Sequence, residues 1–313
     1  MTDVMIPTYK PDEELLKILE SLKEQTCKPD RIILINTEER YLEELFKRTG
    51  YVPDKELIMI RNIKKSEFDH GKTRAEAAGL SNGDIMIFMT QDAIPADRFF
   101  IENLIRPLKD ERVAVSYARQ LPKEGCSVEE RYTREFNYPD KSMLKGAADV
   151  DRLGIKAYFC SNVSCAYRRD VYDRLGGFVK KTIFNEDMIY AAGAVKAGYM
   201  IAYSAEARVY HSHDYNAGEQ FKRNVDIGIS QAQYPEVFRG LSSEAEGKKL
   251  VLATMGELIH TKNVHRIPLY LVRIISRYCG YLTGKHYKRL PVGLIKRVSM
   301  NPGYFTEEKQ CAE

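Results

Sequence analysis

An alternation of short apolar segments with amphipathic ones, over residues 1–90, constrains the fold of this chain more than any other feature. Four segments are mostly apolar along their whole length: residues 3–9, 31–36, 56–62 and 84–90. Three segments between them carry their leucines or alanines at helical spacing: residues 11–25, 41–48 and 73–80. Strands without polar alternation are buried on both faces, and the helices supply the covering layers of a parallel sheet. The sequence therefore predicts an α/β fold with a mostly parallel sheet flanked by helices.

The remainder of the chain has a different texture. Its predicted elements up to residue 214 are two strands, a helix and an extended segment, at residues 112–119, 157–169, 186–199 and 200–213. From about residue 215 the pattern is helical and rich in Lys, Arg and Tyr. We therefore predict an α/β domain over residues 1–214 and a C-terminal helical, basic subdomain over residues 215–313.

The composition is that of an ordinary globular protein, because 44% of the 313 residues are hydrophobic and 29% are charged. A formal net charge of +4 is too small to indicate a nucleic-acid partner. No apolar run reaches the roughly 18 residues of a membrane span. The cysteines form no CxxC pair and the N-terminus is not signal-like, so we predict a cytoplasmic chain with reduced thiols at Cys27, Cys126, Cys160, Cys165, Cys279 and Cys311.

The stretch GDIMIFMTQDAIPAD ends an apolar strand with a carboxylate, Asp92. Open α/β sheets bind their ligands at the carboxyl ends of the strands. Asp92 is therefore a candidate ligand of a substrate or a cation. The alternative is that Asp92 caps the helix that follows.

The loop FDHGKTR is a candidate phosphate contact. Gly71 allows close backbone approach, and Lys72 and Arg74 lie at a helix start, where anions bind well. The loop lacks the spacing of a Walker A or dinucleotide motif. A solvated turn is its alternative.

The sequence NED opens the predicted helix over residues 186–199. Glu186 or Asp187 is a candidate general base, which requires a carboxylate of tuned pKa close to an acceptor hydroxyl. The alternative is that Asn185 caps the helix and both acids favour its dipole.

Two histidines, His211 and His213, follow the last extended segment with one residue between them. Side chains alternate along an extended chain, so both imidazoles point to one side, as metal ligation requires. A structural role is the alternative.

In their order, the segments MIPTY, FDHGKTRAEAAGLSNGDIMIFMTQDAIP, GGF followed by NEDM, and HSH resemble glycosyltransferase family 2. The resemblance covers roughly residues 1–215 and implies the GT-A fold, which binds nucleotide sugars. Within the family, FDHGKTR and MTQDA are most similar to bacterial rhamnosyltransferases that use dTDP-rhamnose. It thus implies an inverting, metal-dependent glycosyltransferase that moves L-rhamnose to a hydroxyl of a growing or polyprenyl-linked cell-surface polysaccharide.

The resemblance also assigns the cation. Family members carry an Asp-any-Asp motif at the tip of the sheet, and Thr90-Gln91-Asp92 stands at that position with only the second acid. Asp92 is therefore expected to ligate Mg²⁺ or Mn²⁺ together with His211 or His213. Thr90 takes the place of the acid that contacts ribose, or this contact is lost.

Base recognition departs from the family pattern, because Asn36 and Thr37 stand where paired acids usually follow the second strand. Thr8, Thr37 and Glu38 are the candidates for contacts to the base. The full set that the resemblance implies for the nucleotide sugar is Pro7, Thr8, Tyr9, Thr37, Glu38, Gly71, Lys72, Arg74, Thr90, Gln91 and Asp92.

Inversion by direct displacement needs a base at the acceptor hydroxyl and charge stabilisation at the departing diphosphate. The resemblance implies Asp187 as the base, with Glu186 as the competing assignment. Arg74 and Lys72 are expected to assist the cation at the diphosphate.

Two other functions fit parts of the pattern. A nucleotidyltransferase needs a Gly- and Arg-rich phosphate loop after the first strand, which IPTYKPDEE does not provide. A catalytically silent paralogue, binding sugar nucleotide or scaffolding a glycan-assembly complex, would explain the missing acids. It would not explain why Asp92, both acids of NED and both histidines are kept together.

The C-terminal region is basic and amphipathic. Its cations alternate with Tyr and aliphatic residues: Arg273, Arg277, Lys285, Lys288, Arg289, Lys296 and Arg297. This texture is typical of a helix on an anionic membrane, which would locate the protein at the inner face of the plasma membrane. The alternative is a helical subdomain that packs on the sheet or on a second chain in a homodimer.

Overall fold

The computed structural model describes residues 1–240 and 244–309. The strands of the described chain are β1 (Thr2–Tyr9), β2 (Arg31–Thr37), β3 (Ile58–Ile63), β4 (Ile85–Met89), β5 (Ile94–Pro95), β6 (Val113–Leu121), β7 (Met143–Lys145), β8 (Ser164–Arg168) and β9 (Met200–Tyr210). Its α-helices are α1 (Glu13–Lys23), α2 (Glu39–Thr49), α3 (His70–Leu80), α4 (Phe100–Ile105), α5 (Val128–Asn137), α6 (Val150–Leu153), α7 (Arg169–Arg174), α8 (Glu186–Lys196), α9 (Ala217–Gln233), α10 (Pro235–Phe238), α11 (Glu244–His260), α12 (Ile267–Lys285) and α13 (Val292–Val298).

The strands form one mixed sheet in the order β3, β2, β1, β4, β8, β6, β9 and β5, with β7 on β9. The first four run parallel, β8 runs antiparallel to its neighbours, and β6 and β9 are again parallel. Pairing of β1 with β4 ends at Met5 and Phe88, whereas its pairing with β2 continues to Tyr9. β1 and β4 therefore separate at their carboxyl ends, which opens a cleft where such sheets bind ligands.

Helices cover both faces of the sheet, and successive residues of the central strands go to opposite faces. In β2, Ile32 and Leu34 pack in one apolar layer with Leu15 of α1. Ile33 and Ile35 pack in the other layer, against α3 and α8. This two-sided burial explains why β1, β2 and β4 are apolar without alternation. The expectation of two-sided burial is wrong for β3, which lies at the edge of the sheet and is exposed over residues 59–62.

The helices α9 and α12 pack at close range. A Cβ built on Gly284 of α12 would lie 2.1 Å from the carbonyl oxygen of Val225 on α9, so only glycine fits there. The ion pair of Arg266 Nε with Glu129 Oε1, at 2.9 Å, joins this helical region to α5. The division of the chain at residue 215 stays a prediction.

Several predicted elements differ in extent from those observed, and for two of them the structure shows the cause. The helix predicted over 73–80 begins at His70, because Asp69 caps it at that point. The strand predicted over 157–169 is a strand only over Ser164–Arg168. Before it, the backbone and side chain of Asn162 donate to acids of α8 instead of a neighbouring strand.

The described cysteines are free thiols: Cys27, Cys126, Cys160, Cys165 and Cys279. Cys311 lies outside the described residues. None of the helices in the described ranges is both long enough and apolar enough to cross a bilayer.

Candidate active site

The side chains predicted to bind a cation meet in space. Nε2 of His213 lies 3.0 Å from Oδ2 of Asp92, and Nε2 of His211 lies 3.5 Å from the same oxygen. The two Nε2 atoms are 3.1 Å apart. Bonds of about 2.0–2.3 Å to a common ion place neighbouring ligand atoms at about these separations. The three groups therefore fit one side of a divalent cation.

A two-residue strand pairing brings these ligands together. β5 pairs antiparallel with the end of β9, and Ile94 stands opposite Tyr210. Asp92 lies two residues before Ile94, while His211 and His213 follow Tyr210. Because side chains alternate along an extended chain, the HxH spacing turns both imidazoles toward Asp92.

Burial sets the protonation of the cluster. It lowers the pKa of His211 to about 3, so this imidazole is neutral at neutral pH. Burial also acts to raise the pKa of Asp92, but the hydrogen bonds from His213 and Thr90 and the electrostatic effect of the two imidazoles together outweigh it and hold that pKa below its usual range. An ionised carboxylate and a neutral imidazole are the forms that bind a cation.

Gln120, which sequence reasoning missed, orients His211. Gln120 Oε1 lies 3.1 Å from His211 Nδ1, and Arg134 donates to the same oxygen. Since Oε1 only accepts, Nδ1 must carry the proton, and Nε2 keeps its lone pair for a cation. Glu130 holds Arg134 in turn, at 2.6 Å. No sequence motif marks Gln120, whose role depends on its position near the end of β6, beside β9.

The surroundings of Asp92 fit a cation better than a helix cap. The next helix, α4, begins only at Phe100, and no side chain caps it. The capping alternative for Asp92 is therefore wrong. Tyr215 stacks on His213 with ring centroids 5.0 Å apart and covers one side of the cluster.

The acids of NED have different partners. Glu186 is 4% exposed, and its Oε1 lies 3.1 Å from Arg74 Nη1 and accepts from Asn162 Nδ2 at 3.0 Å. Burial acts against ionisation, but the charge of Arg74, the neighbouring His70 and the hydrogen bonds to the carboxylate together outweigh it and lower the pKa of Glu186. Asn185 stands at the N-cap position with a φ of 63° and makes no capping hydrogen bond, so the capping alternative for Asn185 is wrong.

Asp187, in contrast, forms no ion pair with any described residue. Its carboxylate accepts the backbone N–H groups of Asn162 at 3.0 Å and Met188 at 2.8 Å. Burial, and then the negative charge of Glu186, raise the pKa of Asp187 to about 7. The side chain is half-buried and more exposed than Glu186. A carboxyl of this kind exchanges its proton near neutral pH, as a general base must.

A short backbone link joins the acids to the cation ligands. The N–H of Thr90 donates to the carbonyl of Val163 at 3.1 Å. Asp92 lies two residues beyond Thr90, and Asn162, which precedes Val163, holds Asp187. The structure thus brings the predicted base and the predicted metal ligands to one edge of the sheet.

Gln91 bridges the gap between β1 and β4. Its Oε1 accepts the N–H of Tyr9 at 2.8 Å, and its Nε2 donates to the carbonyl of Tyr9 at 3.0 Å. Gln91 therefore fixes the end of β1. Pro7 lies past the last β1–β4 pair, so its missing N–H breaks no bond to β4.

The candidate base-recognition residues lie at the ends of β1 and β2. Thr8 Oγ1 donates to Asn36 Oδ1 at 3.1 Å, and Asn36 Nδ2 donates to Asn62 Oδ1 at 2.9 Å. Glu38 accepts a backbone N–H of the loop after β3 at 2.7 Å. The hydroxyl of Thr37 is buried and has no hydrogen-bond partner among the described residues. Of these candidates, only Thr37 retains an unused hydroxyl.

Residues of the loop FDHGKTR make contacts within the protein that hold the loop in place. A Cβ on Gly71 would lie 1.9 Å from the carbonyl oxygen of Val179, so this glycine is required for backbone packing. The N–H groups of Gly71 and Lys72 donate to Asp69 Oδ1 at 2.8 and 3.0 Å. The start of α3 is thus closed by Asp69. The phosphate contacts of Lys72 and Arg74 stay a prediction.

The model of the family described as Glycosyl transferase family 2 matches residues 3–176. This chain belongs to glycosyltransferase family 2. The enzyme is 37% identical over 305 residues to the O-antigen chain rhamnosyltransferase RfbN of Salmonella typhimurium, covering 96% of this chain and 95% of RfbN. It is 34% identical over 306 residues to the O-antigen chain rhamnosyltransferase WbaN of Salmonella anatum, with coverages of 96% and 95%. The family predicted from the motifs is confirmed.

Solved structures resemble this glycosyltransferase over most of its length. The mannosyltransferase PcManGT of Pyrobaculum calidifontis, in complex with GDP-Man and Mn²⁺, superposes with a TM-score of 0.62 at 12% identity, covering 92% of this chain and 87% of that one. Residues 1–349 of S. aureus TarS, in complex with UDP-GlcNAc, give 0.52 at 14% identity, with coverages of 92% and 91%. These likenesses confirm the predicted GT-A fold.

In this glycosyltransferase, α12 borders the cation ligands. A pocket between α5, α12 and the loop after β9, here called the α12 pocket, is lined among others by His213, Tyr215, Tyr270, Arg273 and Arg277. The sequence analysis counted both arginines among the cations of a basic amphipathic region, either on a membrane or in a packed helical subdomain. They line the pocket, because their spacing puts them on the same face as the buried Tyr270.

Proposed function

We propose that this glycosyltransferase transfers L-rhamnose from dTDP-rhamnose to a hydroxyl of a growing or polyprenyl-linked cell-surface polysaccharide, with inversion at the anomeric carbon. The observation that carries the proposal is the 37% identity to RfbN, a named rhamnosyltransferase, over 96% of this chain. WbaN, at 34% identity over a similar length, carries the same description. Likeness of this extent covers the sheet, the NED acids and the C-terminal helices together.

The cluster of Asp92, His211 and His213 supports a requirement for Mg²⁺ or Mn²⁺. A cation bound there would offset the charge that develops on the departing diphosphate. Asp92 supplies an ionised oxygen, and the histidines supply neutral nitrogens, one of them oriented by Gln120. Imidazole nitrogens suit the softer Mn²⁺ better than Mg²⁺, so Mn²⁺ is the preferred ion of this proposal.

Asp187 is the base of this proposal. Two backbone N–H groups hold its carboxylate in one orientation, and its pKa of about 7 lets it take a proton from an acceptor hydroxyl at neutral pH. Glu186 is the weaker candidate, because protonating it would break a buried pair with Arg74. Arg74 then acts through Glu186, by keeping a negative charge next to the base.

The alternative of a catalytically silent paralogue is disfavoured by the same acid. Holding the half-buried Asp187 ionised above pH 7 costs stability, since its pKa is raised from 3.8 to about 7. A protein that only binds sugar nucleotide gains nothing from an acid that lowers its stability in this way. Perturbed acids of this type occur preferentially in active sites.

A donor panel tests the proposal. The protein is mixed with dTDP-rhamnose, UDP-sugars or GDP-sugars, with and without Mn²⁺, and its thermal stability and sugar transfer are measured. We expect stabilisation by dTDP-rhamnose, larger with Mn²⁺, and transfer from that donor alone. Stabilisation and transfer with a UDP-sugar, but not with dTDP-rhamnose, would overturn the donor assignment.

We also propose a peripheral contact with the inner face of the plasma membrane through the outer side of α12. Exposed apolar side chains recur there on one helix face, between 38% and 62% exposed: Leu271, Ile275, Tyr278 and Leu282. Cations follow in the next segment: Lys288, Arg289, Lys296 and Arg297. An apolar stripe next to cations is the arrangement of a helix that lies on anionic lipid.

Liposome flotation of the full chain tests this contact. Ile275→Glu with Tyr278→Glu places two acids on the stripe, and we expect flotation with anionic liposomes to be lost. Val52→Glu is the matched control, because Val52 is 82% exposed and lies away from α12. Equal flotation of both variants would contradict the contact.

A further inference from the structure

We propose that Arg273 and Arg277 form an anion site in the α12 pocket that receives a phosphate group of a substrate. The site is separate from the cation ligands but opens beside one of them, His213. The chemical class of the ligand is a diphosphate. The inference rests on the proposed function only for which substrate brings that diphosphate.

The pocket brings donors from two helices to one space. Arg273 and Arg277 come from α12, and Gln220 comes from α9. Guanidinium and amide groups donate to phosphate oxygens in proteins. Their convergence next to His213 gives the pocket the chemistry of an oxyanion site.

The two guanidiniums are not neutralised in pairs. Neither forms an ion pair or a hydrogen bond with a described residue, and Arg273 Nε is buried without a partner. The two glutamates of the pocket have other direct partners, Glu129 with Arg266 at 2.9 Å and Glu130 with Arg134 at 2.6 Å. They act on Arg273 and Arg277 only from beyond ion-pair distance.

Asp214, at the edge of the same pocket, accepts from the backbone and hydroxyl of Ser127. Half-buried cations without a carboxylate in direct contact lose solvation that more distant carboxylates only partly offset, and a bound anion reduces this cost.

Arg223 of α9 strengthens the positive field. Its guanidinium carbon lies 4.7 Å from the ring centre of Phe184 and 5.7 Å from that of Tyr215. Tyr215 stacks on His213. The cation ligands are thus flanked by positive charge on the α12 side, although Arg74 is held by Glu186 on the other side.

Two substrates carry the required group. One is the nucleotide-sugar donor, whose diphosphate would reach the pocket past His213. The other is a lipid-linked acceptor, whose diphosphate would enter from the outer stripe of α12. The arginines and the exposed apolar residues lie on opposite faces of that helix, so a lipid-linked diphosphate would pass around α12 to enter the pocket.

Calorimetric titration with inorganic pyrophosphate, in EDTA to exclude metal-mediated binding, tests the site on the full chain. We expect the wild type to bind, and Arg273→Gln with Arg277→Gln to weaken binding by about tenfold or more, as for loss of charge-assisted hydrogen bonds. Arg289→Gln is the matched control, because Arg289 is an exposed arginine of the same region. No binding by the wild type, or affinity of the double variant within about twofold of wild type, would overturn the proposal.

Titrations with dTDP plus Mn²⁺ and with geranyl diphosphate distinguish the sources. Loss of dTDP affinity in the double variant identifies the donor's diphosphate, whereas loss of geranyl diphosphate affinity alone identifies the lipid-linked one. If neither affinity falls, the arginines do not bind a substrate and the proposal is overturned.

Arginine modification of the wild type avoids dependence on a folded variant. Phenylglyoxal labelling, followed by mass spectrometry, is run with and without pyrophosphate. We expect pyrophosphate to slow labelling of Arg273 and Arg277, and not of Arg289 and Arg297. Unchanged labelling of the first two would contradict the site.

The outcomes for the site and for the proposed function are separable. Pyrophosphate binding is measured without a sugar donor, so a failed donor panel leaves this result unaffected. Conversely, a wild type that does not bind pyrophosphate but transfers rhamnose would overturn the anion site and leave the proposed function intact.

Discussion

Arg74 Nη1 lies 3.1 Å from Glu186 Oε1, and both side chains are buried. This pair keeps Glu186 ionised immediately beside Asp187, whose pKa it helps to raise to about 7. The two adjacent acids therefore differ in their ability to accept a proton. Glu186 is neutralised by Arg74, whereas Asp187 can exchange a proton near neutral pH.

Replacing Asp187 by Asn should lower kcat by about 10²–10⁴-fold, because the acceptor hydroxyl loses its base. Nucleotide binding, measured by thermal shift with dTDP and Mn²⁺, should persist. The amide leaves one backbone donor without its acceptor, at a cost of about 1–3 kcal/mol, so unfolding is measured in parallel. A folded variant with wild-type kcat would exclude Asp187 as the base.

Replacing Glu186 by Gln should keep activity and move the acid limb of the pH–rate profile. In the wild type, the rate should rise with pH through about 7 as Asp187 loses its proton. Removing the neighbouring negative charge lowers the pKa of Asp187, so the limb should move on the order of one unit toward lower pH. Complete loss of transfer at every pH would instead assign the base to Glu186.

Replacing Asp92 by Ala should abolish the effect of Mn²⁺ on nucleotide binding, because the cluster loses its only carboxylate. The measurement is the thermal shift by dTDP with and without Mn²⁺. Asp140→Ala is the control, because this exposed acid lies outside the cluster and should leave the Mn²⁺ effect intact. A persistent Mn²⁺ effect in Asp92→Ala would locate the cation elsewhere.

Replacing Asp226 by Asn should stabilise the protein more at pH 8 than at pH 4. Burial raises the pKa of Asp226 from 3.8 to about 6. The native state thus holds a proton that the unfolded state releases, and the stability that this proton provides falls as pH rises from about 4 through 6. The Asn variant does not lose this free energy of unfolding, which amounts to about 3 kcal/mol. Urea unfolding of both proteins at pH 4 and pH 8 measures the difference. Parallel changes of the free energy of unfolding with pH in the two proteins would contradict the prediction.

Replacing Gly284 by Ala should destabilise the packing of α12 on α9, since the new Cβ would lie 2.1 Å from the Val225 carbonyl oxygen. Gly256→Ala in α11 is the matched control, because it has open space around it. That control should stabilise its helix by about 0.5–1 kcal/mol. Thermal unfolding of the two variants should therefore shift in opposite directions, and equal shifts would contradict the close helix contact.

The parts of the site that were predictable from sequence are those that depend on local spacing. Asp92 directly follows an apolar strand, and the two histidines follow another with the alternation of extended chain. Gln120 could not be found in this way, because its role depends on β6 lying beside β9. Its partner Arg134 is even harder to predict, because the sequence around an arginine in a helix does not indicate which residue the arginine contacts.

The C-terminal helices illustrate the same limit. Periodicity predicted a basic amphipathic helix, but not that Arg273 and Arg277 face inward. Gly280 and Gly284 indicate which face of α12 points inward, because they lie on the same face and pack against another backbone. Glycines at such spacing indicate which side of a helix packs inside the protein. Charged side chains on that side then require a partner or a ligand within the protein.

The pairing of Ile94 with Tyr210 has a consequence for the order of assembly. Asp92 emerges early in synthesis and its histidine partners emerge more than a third of the chain later, so the proposed cation site does not exist until β9 has joined the finished sheet. Binding of Mn²⁺ at this site would therefore report complete folding of the sheet. A ribosome-bound or truncated chain that ends before residue 200 would carry the carboxylate without the two histidines.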